Sequence, residues 1–432
     1  MAGLQKAKKI FIAGIGGIGV SALARLFLSK GIEVVGSDST VSPVTLDLER
    51  LGVKITYKQD VSVVPDDVDA ICYSNAIPHY SADFFNGLKT LGKTMASYPE
   101  SLADISRDLK TIGIAGTHGK TTTTAMVAKI LADAKINPTV IVGSVLVEEK
   151  TNFVQGNGEY FLVEADEYKR AFLHLSPTIA VVTNIGLDHL DYYKDLADIQ
   201  SAFKAFVEKV PTYGAVIADV KDSAVMAILK NVSGEVIDYT EMQLPDLHLR
   251  FPGKHNVSNA KAAAAVGRFL GVGAERIVKS LNNFRGTWRR FEFKGETARG
   301  AAIYDDYAHN PDKVRAAIAG AREIFPHKKI IAVFQPHLYS RTRHLFKEFA
   351  TSFYDANQVI VAPIFAARED PDPNITSDIL AEAIDDTGVR AVCLPSLQAI
   401  RDVLETAEND SVIITIGAGD IYKVAEWLAA RA

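Results

Sequence analysis

Residues Thr111 to Ala125 read TIGIAGTHGKTTTTA. An apolar run turns on Gly116 and Gly119 and continues into residues that suit a helix. This order predicts a buried strand, a phosphate loop and a helix. Backbone N–H groups across Gly116, Thr117, His118 and Gly119, at the positive end of a helix, attract polyphosphate. Lys120 is placed to reach the outer phosphates, the Thr121 hydroxyl suits Mg²⁺, and Thr122 extends the same turn. Strict Walker spacing would put glycine at position 114, where this chain has Ile114. A bare GKT in a glycine turn arises by chance, but seldom between a strand and a helix, so the stretch reads as an ATP or GTP site.

A second glycine loop lies near the N-terminus. Lys9 to Ala13 reads as a strand, followed at once by Gly14-Ile15-Gly16-Gly17-Ile18-Gly19, a helix to about Lys30 and a strand Glu33 to Ser37 ending at Asp38. Gly14, Gly16, Gly17 and Gly19, with Ile18 between them and Asp38 downstream, form a dinucleotide-type fingerprint in a βαβ unit. The same donors would serve NAD or a nucleotide diphosphate sugar, and the glycines could also serve only close packing. The strand Asp69 to Tyr73 ends in Ser74-Asn75-Ala76, small polar residues at an edge where ligands bind.

Further chemistry gathers at later strand ends. Tyr160 to Val163 leads into Glu164-Ala165-Asp166-Glu167, and Thr178 to Val182 leads into Thr183-Asn184-Ile185-Gly186-Leu187-Asp188-His189. Carboxylates at such ends are natural Mg²⁺ ligands, and His189 beside them is a candidate to help hold metal. Asn256 and Asn259, in PGKHNVSNA, lie one helical turn apart and could read a base edge or simply cap and solvate the helix. Beyond Arg289-Arg290-Phe291-Glu292 come Asp305-Asp306-Tyr307-Ala308-His309-Asn310-Pro311, then Gln335-Pro336-His337-Leu338-Tyr339-Ser340-Arg341-Thr342-Arg343, then Gly417-Ala418-Gly419-Asp420. Tyr, His and Arg are costly to bury unpaired, so these runs predict an open cleft for a small carboxylated or aminated ligand. The GAGD turn could be purely structural.

The elements needed to carry these residues alternate as strand and helix throughout. The expected fold is α/β in three domains: an N-terminal Rossmann-like domain (1–107), a central P-loop mononucleotide-binding domain (108–286) and a C-terminal Rossmann-like domain with a parallel sheet (287–432). Helices are expected at about Ile199 to Lys209, Ser223 to Lys230 and Arg343 to Phe353. A length of 432 residues suits two or three cores, and 48% hydrophobic with 23% charged residues is ordinary globular composition. A net charge of -5 provides no footprint for nucleic acid or an acidic membrane. Cys72 and Cys393 sit in apolar runs and read as buried thiols of a reducing compartment. Lys6, Lys8 and Lys9 before an apolar run faintly mimic a signal peptide, but the glycines break it. Without a run long enough to cross a membrane, the expectation is a cytoplasmic protein, with no membrane insertion and an oligomeric state the sequence does not set.

In this order, GIGGIG, GTHGKTTTT, EADE, TNIGLDH, PGKHNVSNA, RRFE, DDYAHNP, FQPHLYSRT and GAGD resemble the Mur ligases of peptidoglycan synthesis across nearly the whole chain. Within that family they are most similar to the branch that adds L-alanine to UDP-N-acetylmuramic acid. The resemblance implies a sugar-nucleotide domain (Gly14 to Gly19, Asp38, Ser74 to Ala76), a central ATPase domain and an amino-acid domain, with ATP and two Mg²⁺ ions. It implies Lys120 as the phosphate-loop lysine and Thr121, Glu164 and His189 as metal ligands. Asn256 and Asn259 fall on the adenine side, and Arg290 and Asp306 form an ATP-contacting pair. Tyr307, His309, His337 and Arg341 fall where the family shapes the alanine pocket, and Lys120, Glu164, His189 and Arg290 carry the catalytic roles.

The chain departs from that pattern in places. EADE continues as Tyr168-Lys169-Arg170, where alanine ligases usually have Ser-Asp and a small residue; EADEY resembles the ligase that attaches recycled murein tripeptide, whereas FQPHLYSRT does not. Asn310 replaces a usual histidine, and Gly214 to Arg250 is short, so a peripheral strand pair is expected to be missing. The rival readings are a Mur ligase for tripeptide, glycine or serine, a dinucleotide-dependent dehydrogenase with an incidental GKT, and a nucleotide-binding regulator without catalysis.

Overall fold

The computed structural model describes residues 3–250, 253–367 and 369–430. It contains three sheets and divides into two compact units. One unit runs to His248 and includes Val257–Arg285; the other takes Gly286 onward with the short stretch just before Val257.

The first unit holds two sheets. Strands β1 (Lys9–Ala13), β2 (Glu33–Ser37), β3 (Lys54–Thr56), β4 (Ala70–Tyr73) and β5 (Thr94–Ser97) form a parallel sheet in the order β3-β2-β1-β4-β5. Side chains alternate across a strand, so Ile10 and Ile12 of β1 feed one core layer while Phe11 and Ala13 feed the other. Burial on both faces is why β1 reads as an unbroken apolar run. The chain order reverses between β1 and β4, opening a crevice at their C-terminal ends. Gly14 to Gly19 follows β1 there, and Ser74 to Ala76 follows β4.

The second sheet comprises β6 (Lys110–Ala115), β7 (Thr139–Leu146), β8 (Thr151–Val154), β9 (Tyr160–Glu164), β10 (Pro177–Val182), β11 (Ala215–Ala218) and β12 (Glu235–Asp238). Its order is β12-β11-β10-β6-β9-β7-β8. The phosphate-loop strand β6 is thus flanked by β9 and β10, whose ends carry the acidic run and His189. The hairpin β7–β8 is an element that periodicity did not reveal, because its apolar run is interrupted at Gly143 within a register shift. The hairpin packs on the helix Ile18–Ser29 that follows the first glycine loop: the Asn152 amide donates to the Ile18 carbonyl (2.6 Å) and the Ser21 hydroxyl (2.9 Å). One continuous apolar core joins the two sheets.

The second unit holds β13 (Glu292–Glu296), β14 (Ala302–Asp306), β15 (Lys329–Phe334), β16 (Gln358–Val361), β17 (Ala391–Cys393) and β18 (Ser411–Ile416), ordered β13-β14-β18-β15-β16-β17. The expected parallel sheet is corrected at one edge, since β13 pairs antiparallel with β14 through a short connection. Val412, Ile414 and Ile416 of β18 enter one core layer and Ile413 the other. The helix expected from Arg343 to Phe353 is instead two, Tyr339–His344 and Phe346–Ala350, broken at Leu345. The helix from Ser223 stops at Met226. Cys72 is buried, while Cys393 is only partly so. No helix among the described residues is long and apolar enough to cross a membrane.

Candidate active site

The phosphate loop is shaped by residues that only glycine could oppose. Gly116 has φ +140, and a Cβ there would lie 1.9 Å from the Thr183 hydroxyl oxygen; Gly119 has φ +84, and its Cβ would lie 2.4 Å from Asn259 Oδ1. The β10 strand end braces the loop from below. Asn184 accepts from the backbone N–H of Thr117 (3.1 Å) through its carbonyl and from that of His118 (3.0 Å) through its side chain. Thr117 and His118 therefore spend their amides inside the protein. The amides at the start of the helix Lys120–Asp133, through Thr121 and Thr122, have no helical carbonyl before them and remain the natural phosphate donors.

Lys120 lies between the loop and the acidic run. Its ammonium donates to the Gly116 carbonyl (2.6 Å) and to both carboxylate oxygens of Glu167 (2.9 and 2.7 Å). Burial works against its charge, but Glu167, then Asp166, outweigh that and hold the ammonium above the ordinary lysine pKa. Glu164 sits on the other side: it accepts from the Thr121 hydroxyl (3.2 Å) and from the Gly143 amide (2.7 Å). His189, at φ +53, brings Nε2 to 3.8 Å from Glu167. Asp166, Glu167 and His189 present ligand atoms within 4.8 Å of one another.

The structure thus pairs Thr121 with Glu164, and His189 with Glu167 and Asp166. Glu167 is a residue to which sequence reasoning gave no role of its own, although it stood in the EADE motif. Oxygen donors with one imidazole form a set suited to a hard divalent cation. Asn259 accepts from the Thr123 hydroxyl (3.2 Å) and faces Gly119. Asn256, also buried, is on the same helix, Lys254–Phe269. Pro252, the first residue of PGKHNVSNA, and Phe251 before it lie outside the described residues.

In the first glycine loop, Gly14 adopts φ +75 and Gly17 donates to its carbonyl (3.2 Å). Asp38 accepts from the Gly16 amide (2.8 Å), so the acidic residue caps the loop itself. Ser74 accepts from the Ala76 amide (3.3 Å), and Asn75 beside them is exposed. The Tyr98 ring covers Gly19, with ring carbon 2.8 Å from where a Cβ would stand. Burial, then the charges of Glu164 and Asp166, raise the Tyr98 pKa, which places this tyrosine between the first glycine loop and the acidic run.

In the second unit, the DDYAHN motif folds back on itself. Asp306 accepts from the Phe291 and Ala308 amides, each at 2.8 Å, and Arg290 lies 5.7 Å from the Tyr307 ring. His309 Nδ1 donates to the Tyr307 carbonyl (3.0 Å), leaving Nε2 as the acceptor of a neutral ring. Burial, then Lys313, Arg341 and Arg290, push His309 down to about 3, which places it among those cations. Arg341 donates to His337 (3.2 Å), and burial followed by Arg341 lowers the His337 pKa. Asn310 caps the helix Pro311–Ile324 by accepting from the Lys313 amide (2.9 Å), a role asparagine fills well.

The open-cleft expectation fails for Arg289. It is buried and paired, donating from Nε to Asp305 (2.7 Å) and from its other nitrogens to the carbonyls of Gly419 (2.9 Å) and Gly417. The GAGD turn is the acceptor platform of this guanidinium.

Three family models match the chain: "Mur ligase family, catalytic domain" over residues 9–109, "Mur ligase middle domain" over 114–245, and "Mur ligase, glutamate ligase domain" over 289–419. The chain belongs to the Mur ligase family. Among its Mur ligase relatives, the UDP-N-acetylmuramate–L-alanine ligase of Lachnospira eligens is 39% identical, covering 97% of each chain. That of Clostridium kluyveri is 37% identical over 98% of each. The crystal structure of UDP-N-acetylmuramate-alanine ligase from Thermotoga maritima matches with a TM-score of 0.82 at 27% identity, covering 98% of each chain. A murein peptide ligase from Psychrobacter arcticus matches with a TM-score of 0.72 at 25% identity, again over 98% of each.

Proposed function

We propose that this Mur ligase joins L-alanine to the lactyl carboxylate of UDP-N-acetylmuramic acid, using ATP and passing through an acyl phosphate. The observation that carries this reading is the convergence of three adjacent strand ends, β6, β9 and β10, on Lys120, Thr121, Glu164, Glu167 and His189. Near-full-length likeness to alanine-adding relatives supports the choice of amine.

A carboxylate oxygen attacks the γ-phosphorus, the bond to the β-phosphate oxygen breaks, and ADP leaves. Two anions must meet, so the barrier is largely electrostatic. The helix-start amides and Lys120 hold the triphosphate, with the Lys120 charge shared between Glu167 and the nucleotide. Thr121, Glu164, Asp166, Glu167 and His189 fit magnesium by donor chemistry. Bound there, it would neutralise phosphate charge. The alanine nitrogen then attacks the acyl carbon, phosphate leaves, and the nitrogen loses a proton. His309, at about 3, is too weak a base to take that proton. Its neutral Nε2 instead suits a hydrogen bond from the amine.

We assign residues 1–107 to the sugar nucleotide, 108–286 to ATP and 287–432 to the amino acid, in a cytoplasmic enzyme. Gly14 to Gly19, Asp38 and Ser74 to Ala76 serve the first ligand. Asn256, Asn259, Arg290 and Asp306 serve ATP, while Tyr307, His309, His337 and Arg341 serve alanine.

The deciding experiment supplies UDP-N-acetylmuramate and ATP with L-alanine, glycine, L-serine or the murein tripeptide, and follows phosphate release and ligated product. Product with L-alanine, lost in Lys120→Ala and Glu164→Ala, is expected. Turnover with tripeptide alone would replace the reading with its recycling counterpart, which the EADEY stretch at Tyr168 resembles.

A further inference from the structure

Two residues beyond Glu167, Lys169 and Arg170 are consecutive non-glycine residues in the left-handed region (φ 50, ψ 28 and φ 59, ψ 26). L side chains crowd the backbone there, so such a pair persists only where neighbours hold it. The neighbours are evident. Arg170 donates to Asp198 (2.6 Å) and to the Ser201 hydroxyl (3.0 Å), while the Tyr168 hydroxyl donates to Asp191 (2.9 Å).

The consequence of the kink is the position of the Lys169 ammonium. It reaches His79 Nε2 at 2.5 Å, on the short helix Ile77–Tyr80 that follows Ser74-Asn75-Ala76. On its other side it lies 5.3 Å from the centre of the Tyr168 ring, and that ring sits 4.7 Å from the imidazole of His189. Lys169 therefore stands between the sugar-nucleotide strand end and the acidic cluster. Among the described residues no carboxylate forms an ion pair with it. An ammonium held against an imidazole, with no anion to balance it, is an incomplete anion site.

We propose that Lys169, supported by His79, docks the lactyl carboxylate of the sugar nucleotide and positions it for attack on the terminal phosphate. This rests on the function proposed above. A pyrophosphate would answer to the same charge. The carboxylate is favoured because the ammonium lies over the Tyr168 ring, which itself packs on His189 of the acidic cluster, where the reacting acid must arrive.

The test measures binding of UDP-N-acetylmuramate and of UDP-N-acetylglucosamine, which keeps the pyrophosphate but lacks the lactyl acid, to the full chain by calorimetry. Losing one charge-assisted hydrogen bond should weaken binding by about tenfold or more. Lys169→Ala should weaken the muramate ligand by that factor, leave the glucosamine ligand and the KM for ATP unchanged, and be largely rescued in Lys169→Arg. Lys169→Met keeps the stem on Tyr168 and replaces the alanine variant should that one unfold. Equal weakening of both ligands, or of neither, overturns the proposal. Wild-type protein that binds and ligates normally while the variants do likewise sinks only this inference; wild-type protein without ligation sinks the functional reading first.

Discussion

Lys120 and Glu167 form a two-pronged ion pair, the ammonium lying 2.9 and 2.7 Å from the two carboxylate oxygens. The lysine that must engage a triphosphate is therefore already held charged and in place, at the cost of a carboxylate that any incoming phosphate has to approach. Removing one partner of a buried pair leaves a desolvated charge, so Glu167→Gln should lose about 3 kcal/mol of stability, the low end for such pairs because Gly116 still accepts from the lysine. A double-mutant cycle with Lys120→Met, read by urea unfolding, should return a coupling above about 1 kcal/mol. Additive losses would show that the pair contributes nothing beyond its two separate side chains.

Arg289 and Asp305 are the corresponding pair in the second unit, both buried, with Gly417 and Gly419 sharing the guanidinium. Arg289→Ala strands a carboxylate and two carbonyls and should cost about 3–5 kcal/mol. Arg289→Lys, lacking the planar fork, should recover only part of that. Thermal unfolding of the two variants ranks them; equal stability to wild type would contradict the burial.

His309 sets a pH dependence. Its folded pKa of about 3 lies below the ordinary 6.5, because burial and then Lys313, Arg341 and Arg290 disfavour the imidazolium. Between those two values the unfolded chain binds a proton that the folded chain does not. This contribution is therefore complete above pH 6.5 and declines as pH falls towards 3. Subtracting the stability profile of His309→Gln from that of wild type should isolate a slope in this window. A flat difference would mean the imidazole titrates normally.

Gly116→Ala should abolish nucleotide binding, since the new methyl meets the Thr183 hydroxyl oxygen at 1.9 Å in a backbone conformation alanine resists. Gly119→Ala should be similarly damaging through Asn259. Gly31, with φ +77 and open space around its Cβ position, is the control: its alanine variant bears only the backbone penalty of about 1 kcal/mol. Calorimetric titration with ATP separates the three, and unimpaired binding by the Gly116 variant would refute the loop geometry.

Much of this molecule was written locally. Strands buried on both faces must be continuous apolar runs, so β1, β6 and β10 announced themselves. The glycines at the ends of β1 and β6 marked turns that side chains would block. The hairpin β7–β8 escaped because Gly143 breaks its pattern where its amide turns toward Glu164.

What the linear order could not determine were the pairings between distant residues. Lys120 lies far from Glu167 in the chain, Gly119 far from Asn259, and Arg289 far from Gly417, and no period in the sequence records who meets whom. Periodicity reports only the face a residue occupies, whereas an ion pair depends on which strands become neighbours and how their ends align. Strand order placed β9 and β10 beside β6. That arrangement brought the EADE run to Lys120, and the turn of the chain beyond β9 set Glu167, not Glu164, against the ammonium.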